Sequence, residues 1–252
     1  MRAIHIAGSI IVAGFLLSGC DNNDHNVVNN ATTQSTLTGV LSTPAPAPLP
    51  STTVAYNVTL KNLTYAQPMA PMAVAYHSKE TSVFKVGTPA SLGLEKLAEG
   101  GDNSMLLTEL SENSLVSSTQ GGTGLVLPGK SDSVTIEGEP AQCISVTAML
   151  VNTNDAFAGV DCVNVSELKN GEMMTIALPT YDAGTENNSE EASTIPGPAG
   201  GGEGFNADRD DRDFVSVHGG AVTQDDGLST SALTQNHKWN NPAAILTIER
   251  IK

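Results

Sequence analysis

The segment LPTYDAGTENN, residues 178–188, places Asp182, Thr185, Glu186, Asn187 and Asn188 around Gly184, in a chain of which only 15% is charged. Asp182 and Glu186 are four residues apart with Ala-Gly-Thr between them. A glycine takes positive φ without steric cost, so the backbone can reverse at Gly184 and bring both carboxylates toward one point. Calcium is bound by about six to eight oxygens drawn from carboxylates, backbone carbonyls and water. A second oxygen-rich stretch, Asn152-Thr153-Asn154-Asp155, follows an apolar alternation at Ile144, Val146, Ala148 and Leu150. Two such loops at one end of a β-sheet protein would make a calcium site; two solvated turns are the plainer alternative.

Other chemistries find less support. The sequence holds no G-x-S-x-G, no H-E-x-x-H and no G-x-x-x-x-G-K-[ST], the spacings that serve nucleophile elbows, zinc proteases and phosphate loops. Gly121-Gly122-Thr123-Gly124 lacks the lysine of a phosphate loop and reads as a turn, and Gly219-Gly220 reads as a strand end. Asn206-Ala207-Asp208-Arg209-Asp210-Asp211 imitates the start of an EF-hand loop. Asp211 stands where that loop needs glycine, and Val217 where it needs glutamate. Arg209 and Arg212 would neutralise it, so it reads as a self-paired loop. A hydrolase built on an acid near His218 or His237 is the least supported reading, and the protein is expected not to be an enzyme.

These residues need elements to carry them. Val54, Tyr56, Val58 and Leu60 alternate, which puts them on one face of a strand. Further strands are expected at 83–86, 134–136, 144–150, 174–178, 214–217 and 244–251. Thr88-Pro89 ahead of ASLGLEKLAEGG predicts a short helix, with Thr88 as cap, Pro89 in the first turn and Gly100 at the stop. Residues 104–112 suit another helical turn or two. Six to eight strands with long loops and little helix predict a mainly β fold, an antiparallel β-sandwich with one or two short helices. The loop over 185–211 is long enough to be functional.

The N-terminal part has a different character. Ile10–Leu17 is apolar but too short to span a bilayer permanently. Leu17-Ser18-Gly19-Cys20 directly after it resembles the lipobox of bacterial lipoproteins. That implies cleavage before Cys20 and acylation of its sulfur and new amino group, giving a stable anchor. An ordinary signal peptide with a chance cysteine is the alternative. Asp21 resembles the inner-membrane retention signal of enteric lipoproteins, while other bacteria use other rules. The expected location is the bacterial cell envelope, lipid-anchored, on its periplasmic or cell-surface side. Residues 20–53 are rich in Asn, Thr, Ser and Pro, with Pro44, Pro46, Pro48 and Pro50 alternating. Such a stretch cannot bury enough surface to fold and reads as an extended tether. The expected organisation is a signal peptide over 1–19, a disordered tether over 20–53 and one domain over 54–252.

Loss of residues 1–19 removes Arg2 and no acid, so the formal net charge goes from −15 to −16. This argues against nucleic acid, which needs clustered Lys and Arg, and against electrostatic binding to an anionic membrane. It suits an exported domain that binds a cation. Two cysteines remain, Cys143 and Cys162. An oxidising compartment permits a disulfide between them; two unpaired buried cysteines fit the composition as well. No Cys/His pattern suggests zinc.

Several short motifs, taken in order, resemble the spondin N-terminal domain family, the family of F-spondin and mindin. They are His77-Ser78; Gly87-Thr88-Pro89-Ala90-Ser91-Leu92-Gly93-Leu94; the strand 145–151 leading into Asn154-Asp155-Ala156-Phe157-Ala158-Gly159; Pro179-Thr180-Tyr181-Asp182-Ala183-Gly184-Thr185-Glu186; and Trp239-Asn240-Asn241-Pro242-Ala243-Ala244 before the last strand. The resemblance implies a C2-like β-sandwich that binds Ca2+ in loops at one edge. Its metal carboxylates fall on Asp155, Asp182 and Glu186, with backbone carbonyls completing the shell. Two departures bear on the site: Glu186 stands where animal members usually have Asp, and Ala156 replaces an aromatic. The chain carries no thrombospondin or reeler repeats, so the animal receptors do not transfer. What remains is a calcium-binding, membrane-tethered module for adhesion or for an extracellular or periplasmic protein or glycan. The alternative is a structural envelope protein whose metal site is stabilising or vestigial. Trp239, the only tryptophan, could stack on a sugar but is expected to pack beneath the last strand. Tyr181 is expected to bury its ring against the sandwich edge.

Overall fold

A computed structural model describes residues 52–252, which lie within one compact unit. The leader over 1–19, Cys20 and the tether up to residue 51 lie outside the described residues.

Among the described residues, ten strands form two antiparallel sheets. The four-stranded sheet has the order β4 (Ser131–Gly138), β1 (Val54–Asn62), β10 (Ala244–Arg250), β7 (Met173–Leu178). The six-stranded sheet runs β3 (Val116–Gly121), β2 (Ala73–His77), β5 (Cys143–Met149), β6 (Ala156–Asn164), β8 (Thr180–Asp182), β9 (Ser216–Val217). The alternation read at Val54, Tyr56, Val58 and Leu60 points these side chains at the facing sheet. There they meet Val74, Tyr76, Ile144, Val146 and Ala148. Tyr56 and Tyr76 meet edge to face across the layers, centroids 5.4 Å apart.

The six-stranded sheet is covered on its other face as well. Helices α1 (Leu92–Gly100) and α2 (Ser104–Ser111) lay Leu94, Leu97, Ala98, Leu106 and Leu110 against Ala73, Ala75, Met149 and Phe157. Each fully buried leucine there contributes roughly 1.5–3 kcal/mol. Burial on both faces explains why every residue of β2 and β5 is buried, as in strands sandwiched between layers.

Several elements depart from expectation. Residues 83–86 form no strand. Phe84 instead plugs its ring between Phe157, 5.1 Å away, and Tyr181, 4.9 Å away. Ser91, not Thr88, caps α1: its hydroxyl accepts from the Leu94 amide at 3.2 Å, while Thr88 turns its hydroxyl to the Lys85 carbonyl at 2.8 Å. Helix α1 runs through Gly100, and Gly101 closes it at φ 70°. The strand expected over 214–217 is only Ser216–Val217. Strands β2, β3, β6 and β8 exceed the expected elements. Alanine-rich β2 and the polar edge strand β3 lack an apolar alternation, and β8 is three residues long. Among the described residues no helix is long and apolar enough to cross a membrane.

Candidate functional site

The acidic loops meet because of sheet register. Strand β6 begins at Ala156 and pairs antiparallel with β8, so that Ala156 lies opposite Asp182. Asp155, one residue before β6, therefore sits beside the turn that leaves β8, and the Ala183 amide donates to the Asp155 carbonyl at 3.2 Å. Gly184 adopts φ 73°, and a Cβ there would collide with the backbone of Phe214. The turn folds over Asp155. Its Oδ2 accepts from the amides of Thr185 (2.9 Å) and Glu186 (3.2 Å).

Asp182 is held at both oxygens. Oδ1 accepts from the Gly184 amide at 2.8 Å and Oδ2 from the Asn188 side chain at 2.7 Å. Asn154 Nδ2 donates to Glu186 Oε1 at 3.1 Å and to Thr194 Oγ1 at 2.8 Å. The structure thus sets Asp155 beside the turn that carries Asp182 and Glu186, and Asn154 of the same loop as Asp155 reaches Glu186. Three oxygens in this region, Asp155 Oδ1, Glu186 Oε2 and Asn188 Oδ1, are buried with no partner. Buried polar atoms nearly always have a partner, so unpartnered ones call for an explanation.

The electrostatics point the same way. Burial, followed by the charge of Asp182, pushes the Asp155 carboxyl up to about 7. Burial, with the charges of Glu99, Asp155 and Asp210 behind it, pushes Glu186 up to about 7. Glu99, on the buried face of α1, is also raised by burial. Among the described residues no ammonium or guanidinium pairs with Asp155, Asp182 or Glu186: Arg209 pairs with Glu95 and Asp213, and Arg212 with Asp211. Negative charge concentrated in a buried place without a cation is costly.

A hard, multivalent cation would answer both features, since carboxylate and amide oxygens are the donors calcium takes. Among the described residues no three His, Cys, Asp or Glu side chains form a group that could hold a metal by themselves. A cation here would therefore also draw on amide or backbone oxygens; Asn188 Oδ1 is one without a partner.

Three further residues belong to this region: Glu99 and Glu190, which sequence reasoning missed, and Asn188, which it placed in the turn without a role of its own. Glu99 is buried on α1 beside the core-facing Leu94, Leu97 and Ala98, and an acid within that helical pattern is the available signal. Asn188 anchors Asp182. Glu190 is buried in the left-handed region at φ 59°; Oε1 accepts from the Val222 amide at 3.1 Å, and Oε2 has no partner. Burial pushes it up to about 7.

The histidines serve other ends. His237 accepts from the Thr234 amide at 3.0 Å, a local capping contact. His218 is buried and accepts from the Gly220 amide at 2.9 Å through Nδ1, which leaves its proton on Nε2. Burial lowers its pKa, partly offset by Asp182. His77 is buried against Ser145, with Nε2 to Oγ at 2.7 Å. Arg209 and Arg212 do tie up acids of the false EF-hand segment and its surroundings. Cys143 and Cys162, on neighbouring strands β5 and β6, are joined as a disulfide. Trp239 packs half-buried against the core, with Nε1 donating to Thr180 Oγ1 at 3.1 Å. The Asn241 side chain accepts from the Thr180 amide at 2.9 Å and hydroxyl at 3.1 Å. Trp-Asn-Asn-Pro thereby fastens the last loop to β8, two residues before Asp182.

The family model described as Spondin_N matches residues 62–197, a span that contains Asp155, Asp182, Glu186 and the Cys143–Cys162 pair. No curated protein matches the chain.

Proposed function

This chain belongs to the Spondin_N family, and on that premise we propose that it is a calcium-binding, membrane-tethered envelope module for adhesion or extracellular ligand binding, without catalytic activity. A spondin N-terminal domain is an extracellular or adhesion-type module, and the family is not one of enzymes. Asp155, Asp182 and Glu186 would hold the cation, which would supply the positive charge that the buried carboxylates lack. The observation that carries this reading is the set of unpartnered buried oxygens on Asp155, Glu186 and Asn188. By joining the 152–155 loop to the 182–188 turn, the cation would order that end of the sandwich. The Cys20 lipobox and the 20–53 tether would hold the module at the membrane while letting it stand off.

Asp182→Asn tests the site. In calcium it is expected to lower metal affinity at least about tenfold and to lower the melting temperature with it. Unchanged values for both would remove Asp182 from the site.

A further inference from the structure

We propose that a second site, separate from the carboxylates, binds a neutral sugar ring in the cleft between Tyr65 and Trp239. The cleft is lined by Leu63, Thr64 and Tyr65 from the loop after β1, and by Trp239, Asn240 and Pro242 from the loop before β10. Its volume is about 240 Å³, room for a sugar ring or two rather than a folded peptide. Tyr65 is 76% exposed, although an aromatic ring gains by burial. A single exposed ring needs no explanation. Here a second ring lines the same cleft, and that ring is fixed in place.

The two loops are held in register by buried polar contacts. Gln67 donates through Nε2 to the carbonyls of Asn152 (3.2 Å) and His237 (3.1 Å). The Leu63 amide donates to the Ala243 carbonyl at 2.9 Å. Trp239 spends its N–H on Thr180, so it offers the cleft a carbon surface with no unsatisfied donor. The faces of Tyr and Trp carry the negative side of the ring quadrupole, which suits the polarised C–H groups of a pyranose.

Charge selects the ligand class. Lys238 is the one cation lining the cleft, and both oxygens of Asp226 neutralise it at 2.7 and 2.8 Å. The protein carries a net charge of −15, which disfavours phosphates, sulfates and acidic sugars. The exposed Asn240 amide, free of hydrogen bonds among the described residues, supplies a carbonyl acceptor and an NH2 with two donor hydrogens, suited to sugar hydroxyls. A mostly polar lining edged by two aromatic side chains, with an uncharged amide and no free charge, suits a neutral, hydroxyl-bearing ligand. This inference rests on the binding-module reading but not on calcium occupancy.

The sole tryptophan lies in the cleft, so its fluorescence reports occupancy directly. The purified chain would be titrated with glucose, galactose, mannose and N-acetylglucosamine and with their short oligomers, in calcium and in EDTA. At least one sugar is expected to give a saturable change in emission. Tyr65→Ala should weaken that binding about tenfold and Asn240→Ala severalfold, while both variants keep the wild-type melting temperature because their side chains are exposed. No saturable change with any sugar, or equal binding by Tyr65→Ala, overturns the proposal. A response to a TPAPAPLP peptide alone would overturn it in favour of a proline-rich ligand. Sugar binding that survives in EDTA while calorimetry detects no calcium would sink the metal reading and leave this one standing.

Discussion

Two buried polar clusters flank β6, and they are finished differently. At one end His77 sets Nδ1 on the Ser78 carbonyl (2.8 Å) and Nε2 on Ser145 Oγ (2.7 Å). The Ser145 hydroxyl also lies 2.9 Å from Asp161 Oδ1 and accepts from the Cys162 amide at 2.8 Å. Asp161 Oδ1 accepts from the Val83 amide at 2.8 Å. None of these side chains leaves a buried atom without a partner. At the other end Asp155, Glu186 and Asn188 each leave one. Both clusters gather polar side chains around β6. The first is closed by protein atoms, as a structural network must be. The second is closed on the protein side by backbone amides and stays open on another. On the proposed reading, the first network serves the fold and the second would serve a cation.

The largest effect should come from the turn that builds the open cluster. Gly184→Val places a β-branched residue at φ 73° with its Cβ against the Phe214 backbone. It should cost at least about 2–3 kcal/mol and abolish calcium binding, read by chemical denaturation and calorimetry. A fully folded, calcium-binding Gly184→Val would show that the turn does not position the site. The closed cluster should respond differently. Ser145→Ala strands the Cys162 amide and the His77 ring, and should cost about 1–3 kcal/mol by the same amount in calcium and in EDTA. A calcium-dependent cost would mean that the two clusters are not independent.

Asp155→Asn sharpens the contrast because its sign depends on the metal. The amide keeps an oxygen for the Thr185 and Glu186 amides and removes the charge that burial and Asp182 disfavour. In EDTA the variant should melt at or above wild type. In calcium it should lose most of the metal-induced rise. A variant that melts lower than wild type in EDTA would show that the Asp155 charge stabilises the fold without metal.

The smallest effect is in pH. Asp155 and Glu186 titrate near 7 in the folded state, above their usual carboxylate values. Folding therefore takes up protons between about pH 4 and 7. Metal-free stability is greatest at the acid end of that window and falls as pH rises through 7. Calcium affinity should rise over the same range, because the ligands must lose their protons. Melting curves from pH 5 to 8 should slope downward in EDTA and flatten in calcium.

The sequence exposed the parts of the fold that follow local rules. The β1 alternation, the short helix before Gly100 and the terminal strand all show a period or a punctuation residue. Phe84 misled because an apolar residue that plugs a gap beside Phe157 looks, locally, like part of a strand. Ala73–His77 is a central strand whose burial on both faces erases the alternation that would have marked it. At the site, Asp182, Gly184 and Glu186 were legible because a turn with acids on both sides is a local pattern. Glu99 and Glu190 were not: a helix delivers Glu99 by tertiary packing, and Glu190, four residues beyond Glu186, is buried by a left-handed turn and the Val222 amide that no spacing announces. Nor could spacing indicate which oxygens would be left unpartnered; that depends on which amides the turn turns inward.

The central claim is that the open cluster awaits a cation, and calorimetric titration of calcium into the EDTA-treated protein, with a melting curve beside it, tests it most directly. The account predicts binding to one site. At a hundredfold excess over the dissociation constant it predicts about 2.7 kcal/mol of stabilisation, a rise in melting temperature of roughly 5–10 °C for a domain of this size. No heat of binding and no shift would contradict it, and would make the residues around Gly184 a turn and nothing more.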